Sequence, residues 1–198
     1  MRRVVLDAGL TVLGRDGAAG LTVRAVAAQA GCSTTGVYTY FGGKHGLVEA
    51  MYLEGFLSFR HELATPLAAG DLVEAGRRFR RWALANSTHY LVMFGRAVPD
   101  FEPGDEAMAT AQASFTDLVD AVRRAGAADP SEAAYHLFAT VHGYVMLELV
   151  GMGPADPAEL DDVYESGLAR CVVVAGDGSP DADGRAAVDR QDRARDEA

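Results

Sequence analysis

A short run of hydroxyl-bearing side chains near the start of the chain is the part of the sequence best suited to chemistry. Four residues in it carry hydroxyls that can hydrogen bond to phosphates and base edges: Thr34, Thr35, Tyr38 and Thr39. The apolar residues Val37 and Phe41 are four positions apart, so the run predicts a short helix with one buried face. Ser33 or Thr34 can cap the start of that helix.

A second amphipathic helix is predicted just before the first. Its apolar residues follow the spacing i, i+3, i+4, i+7, and they are Val23, Val26, Ala27 and Ala30. Thr22 is placed to cap this helix, Arg24 points outward from its first turn, and Gly31 ends it. Two short helices joined by a glycine-containing turn form a helix-turn-helix, whose second helix enters the DNA major groove. We therefore predict double-stranded DNA as a partner.

The lysine that follows the predicted recognition helix is the only one in the chain. Lys44 comes directly after Gly42-Gly43, where the next helix would begin, so it can reach phosphate together with the free N–H groups of that helix end. This is not a phosphate-binding nucleotide loop, because Tyr38 and His45 occupy the places that need glycine and a hydroxyl residue.

Two more positions of the recognition helix bear on DNA contact. Tyr38 lies one turn after Thr34 and is expected to face phosphate, while Tyr40 is expected nearer the edge of the core. Gly36 makes the helix less stable, by roughly 1 kcal/mol, than an alanine at the same position would. Either close approach of the backbone to DNA requires this glycine, or it has no functional reason, and the sequence leaves both readings open.

The residues from Ala30 to Leu47, read as AGCSTTGVYTYFGGKHGL, resemble the signature of the tetracycline-repressor (TetR) family. The stretch LDAGLTVLGRDGAAGLTVRAVA before it is similar to the first helix, turn and second-helix entry of that family. The resemblance implies an all-helical, homodimeric bacterial transcriptional regulator, usually a repressor that a small molecule releases from DNA. It also implies that Arg24 can touch a base or phosphate, and that Thr34, Thr35 and Gly36 lie where relatives read base edges.

The rest of the chain is predicted to be helical as well, which gives an all-α fold. We expect a DNA-binding domain of three helices at residues 1–46, an effector-binding and dimerisation domain at 47–175, and a disordered tail at 176–198. Pro66 and the alanines and glycine after it are expected to end the fourth helix. The stretch VHGY at 141–144 with Leu147-Glu148 is similar to a C-terminal subtype named for a Trp-His-Gly motif, with Val141 in place of the tryptophan.

The predicted body supplies candidates for an effector site and a dimer seam. We expect an apolar effector to bind among four aromatic residues, Trp82, Tyr90, Phe94 and Phe115. His142 or Glu148 is expected to supply a polar contact to it. An ionisable group on an apolar helix needs a partner, which for Glu148 can be the ligand, a neighbouring arginine or the second subunit. The last two helices are apolar over much of their circumference, so Val145 and Leu168 are expected in a four-helix seam between two copies.

Composition limits the other classes of function. The net charge is −10, yet residues 1–48 hold five basic residues against Asp7 and Asp16, as a DNA-binding part requires. The two cysteines lack metal-type spacing, no apolar run is long enough for a membrane span, and no catalytic motif is found. We therefore expect a cytoplasmic regulator that is not an enzyme and has no cofactor. The alternative is a constitutive helix-turn-helix DNA-binding protein without an effector.

Overall fold

Residues 1–176 are described by a computed structural model, and within that range they form helices and no strand. The helices are α1 (Arg2–Gly20), α2 (Val23–Gln29), α3 (Thr34–Phe41), α4 (Lys44–Ala69), α5 (Leu72–Ala85), α6 (Ser87–Phe94), α7 (Asp105–Arg124), α8 (Pro130–Leu149) and α9 (Pro157–Gly176). This confirms the all-α class. The tail that we expected to be disordered, residues 176–198, lies outside the described residues except for Gly176, which ends α9.

The first three helices form the helix-turn-helix head, and local capping fixes their ends. The Thr22 side chain accepts a hydrogen bond from the Ala25 N–H at the start of α2, as the sequence predicts. The Ser33 side chain does the same for the Gly36 N–H at the start of α3, which settles the choice between Ser33 and Thr34. Helix α1 is kinked at Gly17, which has a φ of 67°, and the helix resumes to Gly20.

The fourth helix is longer than the sequence suggests, because Pro66 does not end it. Helix α4 continues through Pro66 to Ala69 and ends at Gly70, whose φ of 73° is left-handed. A proline inside a helix leaves the carbonyl four residues earlier without its usual N–H donor. The Arg78 guanidinium lies 3.5 Å from that carbonyl, on Glu62, so a neighbouring helix supplies a replacement donor.

Helices α4 to α9 pack around one apolar core that is continuous with the core of the head. Helix α4 packs against α5, α6 and α7, and α8 packs against α7, α5 and α9. Because α4 starts in the head and runs through the body, the boundary at residue 46 stays a prediction. Val145 and Leu168, expected in a seam between two copies, are both 0% exposed in the single chain. The expectation for these two residues was therefore wrong, since they belong to the core of the protomer.

The junction between the head and the body is a set of close contacts among α1, α4 and α6. Arg3 on α1 forms ion pairs with Asp7 and with Glu54 on α4. A Cβ at Gly14 on α1 would lie 2.8 Å from the Thr88 Oγ1 of α6, so the two helices meet where the glycine leaves room. The head is therefore braced against both α4 and α6.

Candidate functional site

The face of α3 that the sequence assigns to DNA is exposed in the folded chain. Val37 and Phe41 are buried, which turns the predicted contacts of α3 to the surface: Ser33, Thr34, Thr35, Tyr38, Thr39 and Tyr40. Thr22 and Arg24 are also exposed, at the start of α2. Tyr38 is 56% exposed and Tyr40 42%, so both phenols are available to a partner. The roles of these residues at DNA remain predictions.

The turn after α3 explains why two glycines precede Lys44. Gly42 has a φ of 69° and Gly43 a φ of 131°, both in the region that favours glycine. This geometry ends α3 and starts α4 within two residues, with Lys44 as the first residue of α4. The Lys44 ammonium donates to the Ala18 carbonyl at 2.9 Å, which ties the start of α4 to the end of α1. An ammonium has three N–H donors, so this bond leaves others for a phosphate.

Gly36 is not required by the fold. A Cβ built there meets nothing closer than the Cys32 Sγ at 3.6 Å, which is an ordinary contact, and its φ is not positive. An alanine would therefore fit and strengthen the helix. The fold therefore does not account for this glycine, and both readings of Gly36 stay open.

The body contains a cavity of about 310 Å³ lined by α4, α5, α6, α7 and α8. Its wall is mainly apolar and includes six phenylalanines: Phe56, Phe59, Phe79, Phe94, Phe115 and Phe138. Met108 and Gln112 on α7 both line the cavity and are exposed, so it opens to solvent beside that helix. None of the lining residues in the described part of the chain is acidic or basic.

Three of the four predicted aromatic residues of the effector site lie at or directly behind this wall on α6 and α7. Phe94 and Phe115 line the cavity. Tyr90 is fully buried, with its ring centroid 5.0 Å from that of Phe94 and its hydroxyl 2.6 Å from the His142 Nδ1. His142 in turn stacks on Phe138 of the wall, at a centroid distance of 5.4 Å. Tyr90 and His142 thus support the wall from behind, and burial lowers the pKa of His142.

Trp82 and Glu148 are placed away from the cavity surface. The Trp82 indole N–H donates to the Ser58 hydroxyl at 3.1 Å. Glu148 accepts two hydrogen bonds from Arg80, at 2.7 and 3.0 Å, and Arg80 also reaches Asp161 at 2.7 Å. Of the three partners considered for Glu148, the folded chain provides the neighbouring arginine.

The arginine-rich face of α5 resembles a basic patch in the sequence, but each of its members has an acidic partner. Arg77 pairs with Glu165 on α9, and Arg80 pairs with Glu148 on α8. Arg78 and Arg81 both pair with Glu74, which lies on α5 itself. Glu148 holds the pKa of Arg80 above its usual value, with desolvation opposing and Asp161 assisting. The face is therefore a network of ion pairs that joins helices.

Sequence reasoning missed most of the cavity, above all its contribution from α4. Tyr52, Phe56 and Phe59 occur at i, i+4 and i+7 and all line the cavity. The sequence alone did not lead us to place these three residues in a site. Three aromatic residues on one helix face were the available signal, but aromatic stripes usually fill a core.

The structure combines an exposed helix-turn-helix with an all-helical body that contains an apolar cavity, and one long helix joins the two. This combination is typical of one class of protein, the helix-turn-helix DNA-binding regulators. The chain belongs to the tetracycline-repressor (TetR) family. Residues 5–51 match the family model "Bacterial regulatory proteins, tetR family", and residues 72–171 match "Tetracyclin repressor-like, C-terminal domain". The similarity to the Trp-His-Gly subtype stays a prediction.

Individual relatives agree with this assignment. The HTH-type transcriptional regulators Mb1846 of Mycobacterium bovis and Rv1816 of Mycobacterium tuberculosis are 25% identical over 133 residues, which is 61% of this chain. The match spans 57% of the length of those proteins. A protein of known structure from Rhodococcus sp. RHA1 is 25% identical with a TM-score of 0.74, covering 86% of this chain and 93% of that one. The TetR-family regulator PfmR of Thermus thermophilus shares the fold, with 17% identity, a TM-score of 0.67 and coverages of 85% and 96%.

No helix among residues 1–176 combines the length and the apolar character that crossing a membrane requires.

Proposed function

We propose that this chain is a repressor that binds a pseudo-palindromic operator as a homodimer and releases it when a small apolar molecule occupies the cavity. The observation that carries the proposal is that one helix belongs to both sites. Helix α4 begins with Lys44, beside the exposed face of α3, and further along its length Tyr52, Phe56 and Phe59 line the cavity. A tilt of α4 would therefore move the DNA-binding surface and change the cavity together.

Aromatic contacts support a mechanical link between the cavity and the first turn of α4. The Phe101 ring, in the segment between α6 and α7, lies 5.7 Å from the Tyr52 ring and 5.5 Å from His45, centroid to centroid. Glu49, one turn after His45, accepts a hydrogen bond from the Gly104 N–H at 3.0 Å. Because His45 is adjacent to Lys44, these contacts can transmit a displacement of the cavity wall to the head.

An effector releases DNA only if it binds better to the conformation in which the two heads are wrongly spaced. Dimeric helix-turn-helix proteins need their recognition helices about 34–36 Å apart, or a multiple of that, on the DNA. Release thus requires a dimer as well as a cavity. Helix α8 presents exposed apolar residues, Leu147 at 47% and Val150 one residue past its end at 58%. A Cβ at Gly143 would meet no atom within 4 Å, so this face has room for a second copy.

The test is operator binding in the presence and absence of a cavity ligand. An operator is first selected from random double-stranded DNA by binding to the protein, and its affinity is measured by fluorescence anisotropy. Ala111→Phe places a large side chain in the cavity wall, whereas Ala113→Phe on the same helix does not, because only Ala111 lines the cavity. We expect Ala111→Phe to abolish the response to ligand, either by blocking release or by mimicking the bound state, and Ala113→Phe to retain it.

The alternative is a constitutive DNA-binding protein with no effector. The cavity favours the sensor, because a module that only binds DNA needs no opening of about 310 Å³ in its core. If no compound that occupies the cavity changes operator affinity, the constitutive reading replaces the proposal. A wild-type monomer at micromolar concentration in sedimentation would refute the dimer.

A further inference from the structure

The cavity wall carries one hydroxyl, on a buried side chain, that no residue in the described part of the chain hydrogen bonds. Tyr52 is only 7% exposed and lines the cavity. The other two buried tyrosines are both satisfied inside the protein: the Tyr90 hydroxyl lies 2.6 Å from His142, and the Tyr164 hydroxyl donates to the Gly76 carbonyl at 2.6 Å. The Tyr52 hydroxyl has no such partner in the described residues, and unlike the His89 Nε2 it is not sealed inside the protein, so a small molecule can reach it.

The remaining polar groups of the wall are less available to a ligand. The Ser114 hydroxyl already donates to the Ala111 carbonyl at 2.7 Å. Gln112 is exposed, so its amide is hydrated at the mouth and a ligand gains little by replacing that water. Tyr52 is left as the wall hydroxyl without a partner in the described residues, in apolar surroundings where a hydrogen bond is stronger than in water.

The wall also limits the charge of what it can hold. None of the lining residues among residues 1–176 is acidic or basic, and Arg80 on α5 is paired with Glu148 and Asp161. A charged group brought into the cavity would lose its hydration without meeting an opposite charge. The aromatic rings, in contrast, favour a flat apolar body.

We propose that the effector is an uncharged molecule with an apolar, ring-containing body and one oxygen that hydrogen bonds to the Tyr52 hydroxyl. This inference rests on the proposed function for the site, and it adds the chemical class of the ligand. Tyr52 is then the residue that selects for the oxygen, and the absence of lining charges in the described part of the chain excludes carboxylates and ammonium compounds.

The test is displacement of a fluorescent probe, N-phenyl-1-naphthylamine, from the full chain by four matched naphthalenes. They are 1-naphthol, 1-methylnaphthalene, 1-naphthoate and 1-naphthylmethylammonium, which share one ring system and differ in the polar group. We expect 1-naphthol to bind about three- to tenfold better than 1-methylnaphthalene, the value of one neutral hydrogen bond. Both charged compounds should bind at least about tenfold more weakly than 1-methylnaphthalene.

Tyr52→Phe should erase the preference for 1-naphthol and leave the affinity for 1-methylnaphthalene unchanged. The matched control is Tyr135→Phe, which removes the hydroxyl of a tyrosine that is 63% exposed and does not line the cavity. If Tyr52→Phe keeps the preference, or Gln112→Leu removes it instead, the assignment to Tyr52 is wrong. Tight binding of 1-naphthoate would overturn the charge rule.

Failure of this inference can be told apart from failure of the proposed function. If the naphthalenes follow the expected order but no ligand alters operator affinity, the ligand class stands and the repressor mechanism falls. If ligands release the operator but the order differs, the mechanism stands and the ligand class falls. If the probe does not bind at all, both are overturned.

Discussion

Replacing Lys44 by alanine should weaken DNA binding on every sequence and reduce the dependence of binding on salt. Each phosphate contact contributes about −0.9 to the slope of log affinity against log salt. A dimer has two copies of Lys44, so the slope should become less steep by about 1.8. Between about 50 and about 200 mM salt, the ratio of wild-type to Lys44→Ala affinity should therefore fall about 12-fold.

The same lysine also braces α1, and the design must separate the two roles. Its ammonium donates to the Ala18 carbonyl at 2.9 Å, so Lys44→Ala removes both a charge and a donor. Lys44→Gln removes the charge but keeps an N–H donor, and thermal melting of each variant reports the bracing. Anisotropy titrations across salt concentrations should give Lys44→Gln and Lys44→Ala the same reduced slope. A slope equal to that of the wild type in both variants would refute the phosphate contact.

Three further predictions concern the body. Glu148→Gln should lower the free energy of unfolding by about 1–3 kcal/mol, because the ion pair between Glu148 and Arg80 is largely buried. The affinity for N-phenyl-1-naphthylamine should not change. If the folded variant loses affinity for this probe, Glu148 contacts the ligand after all. His89, whose Nε2 is buried without a partner in the described residues, has its pKa lowered from 6.5 by burial, so stability should fall as pH drops below about 6.5. Urea titrations should show this fall reduced in His89→Leu but not in His61→Leu, an exposed control. Leu147→Glu should give a folded monomer in sedimentation that no longer binds operator, and a persistent dimer would move the interface elsewhere.

Local signals in the head were sufficient to predict its structure. The caps at Thr22 and Ser33 are found where hydroxyl residues precede apolar spacing, and the two glycines before Lys44 mark a turn that only glycine adopts readily. These features depend on residues within a few positions of each other. They can therefore be predicted from the sequence without knowing how distant parts of the chain pack together.

The cavity was predicted only in part, because it depends on packing between helices far apart in the chain. The spacing of Phe94 and Phe115 gives no sign that Tyr52 completes the same wall. Glu148 looks unpaired on its own helix, and its partner Arg80 is found only when α5 and α8 pack together. Pro66 fails as a helix stop for a similar reason, since the donor near the Glu62 carbonyl comes from a neighbouring helix.

The central claim is that occupation of the cavity and binding of the operator oppose each other, and reciprocal titration tests it most directly. Uncharged compounds that saturate the cavity, as judged by displacement of N-phenyl-1-naphthylamine, are added to the complex of protein and selected operator. The account predicts that at least one lowers operator affinity by about tenfold or more, and that the operator lowers the affinity of that compound by the same factor. Operator affinity that stays unchanged with the cavity saturated by every such compound would contradict it.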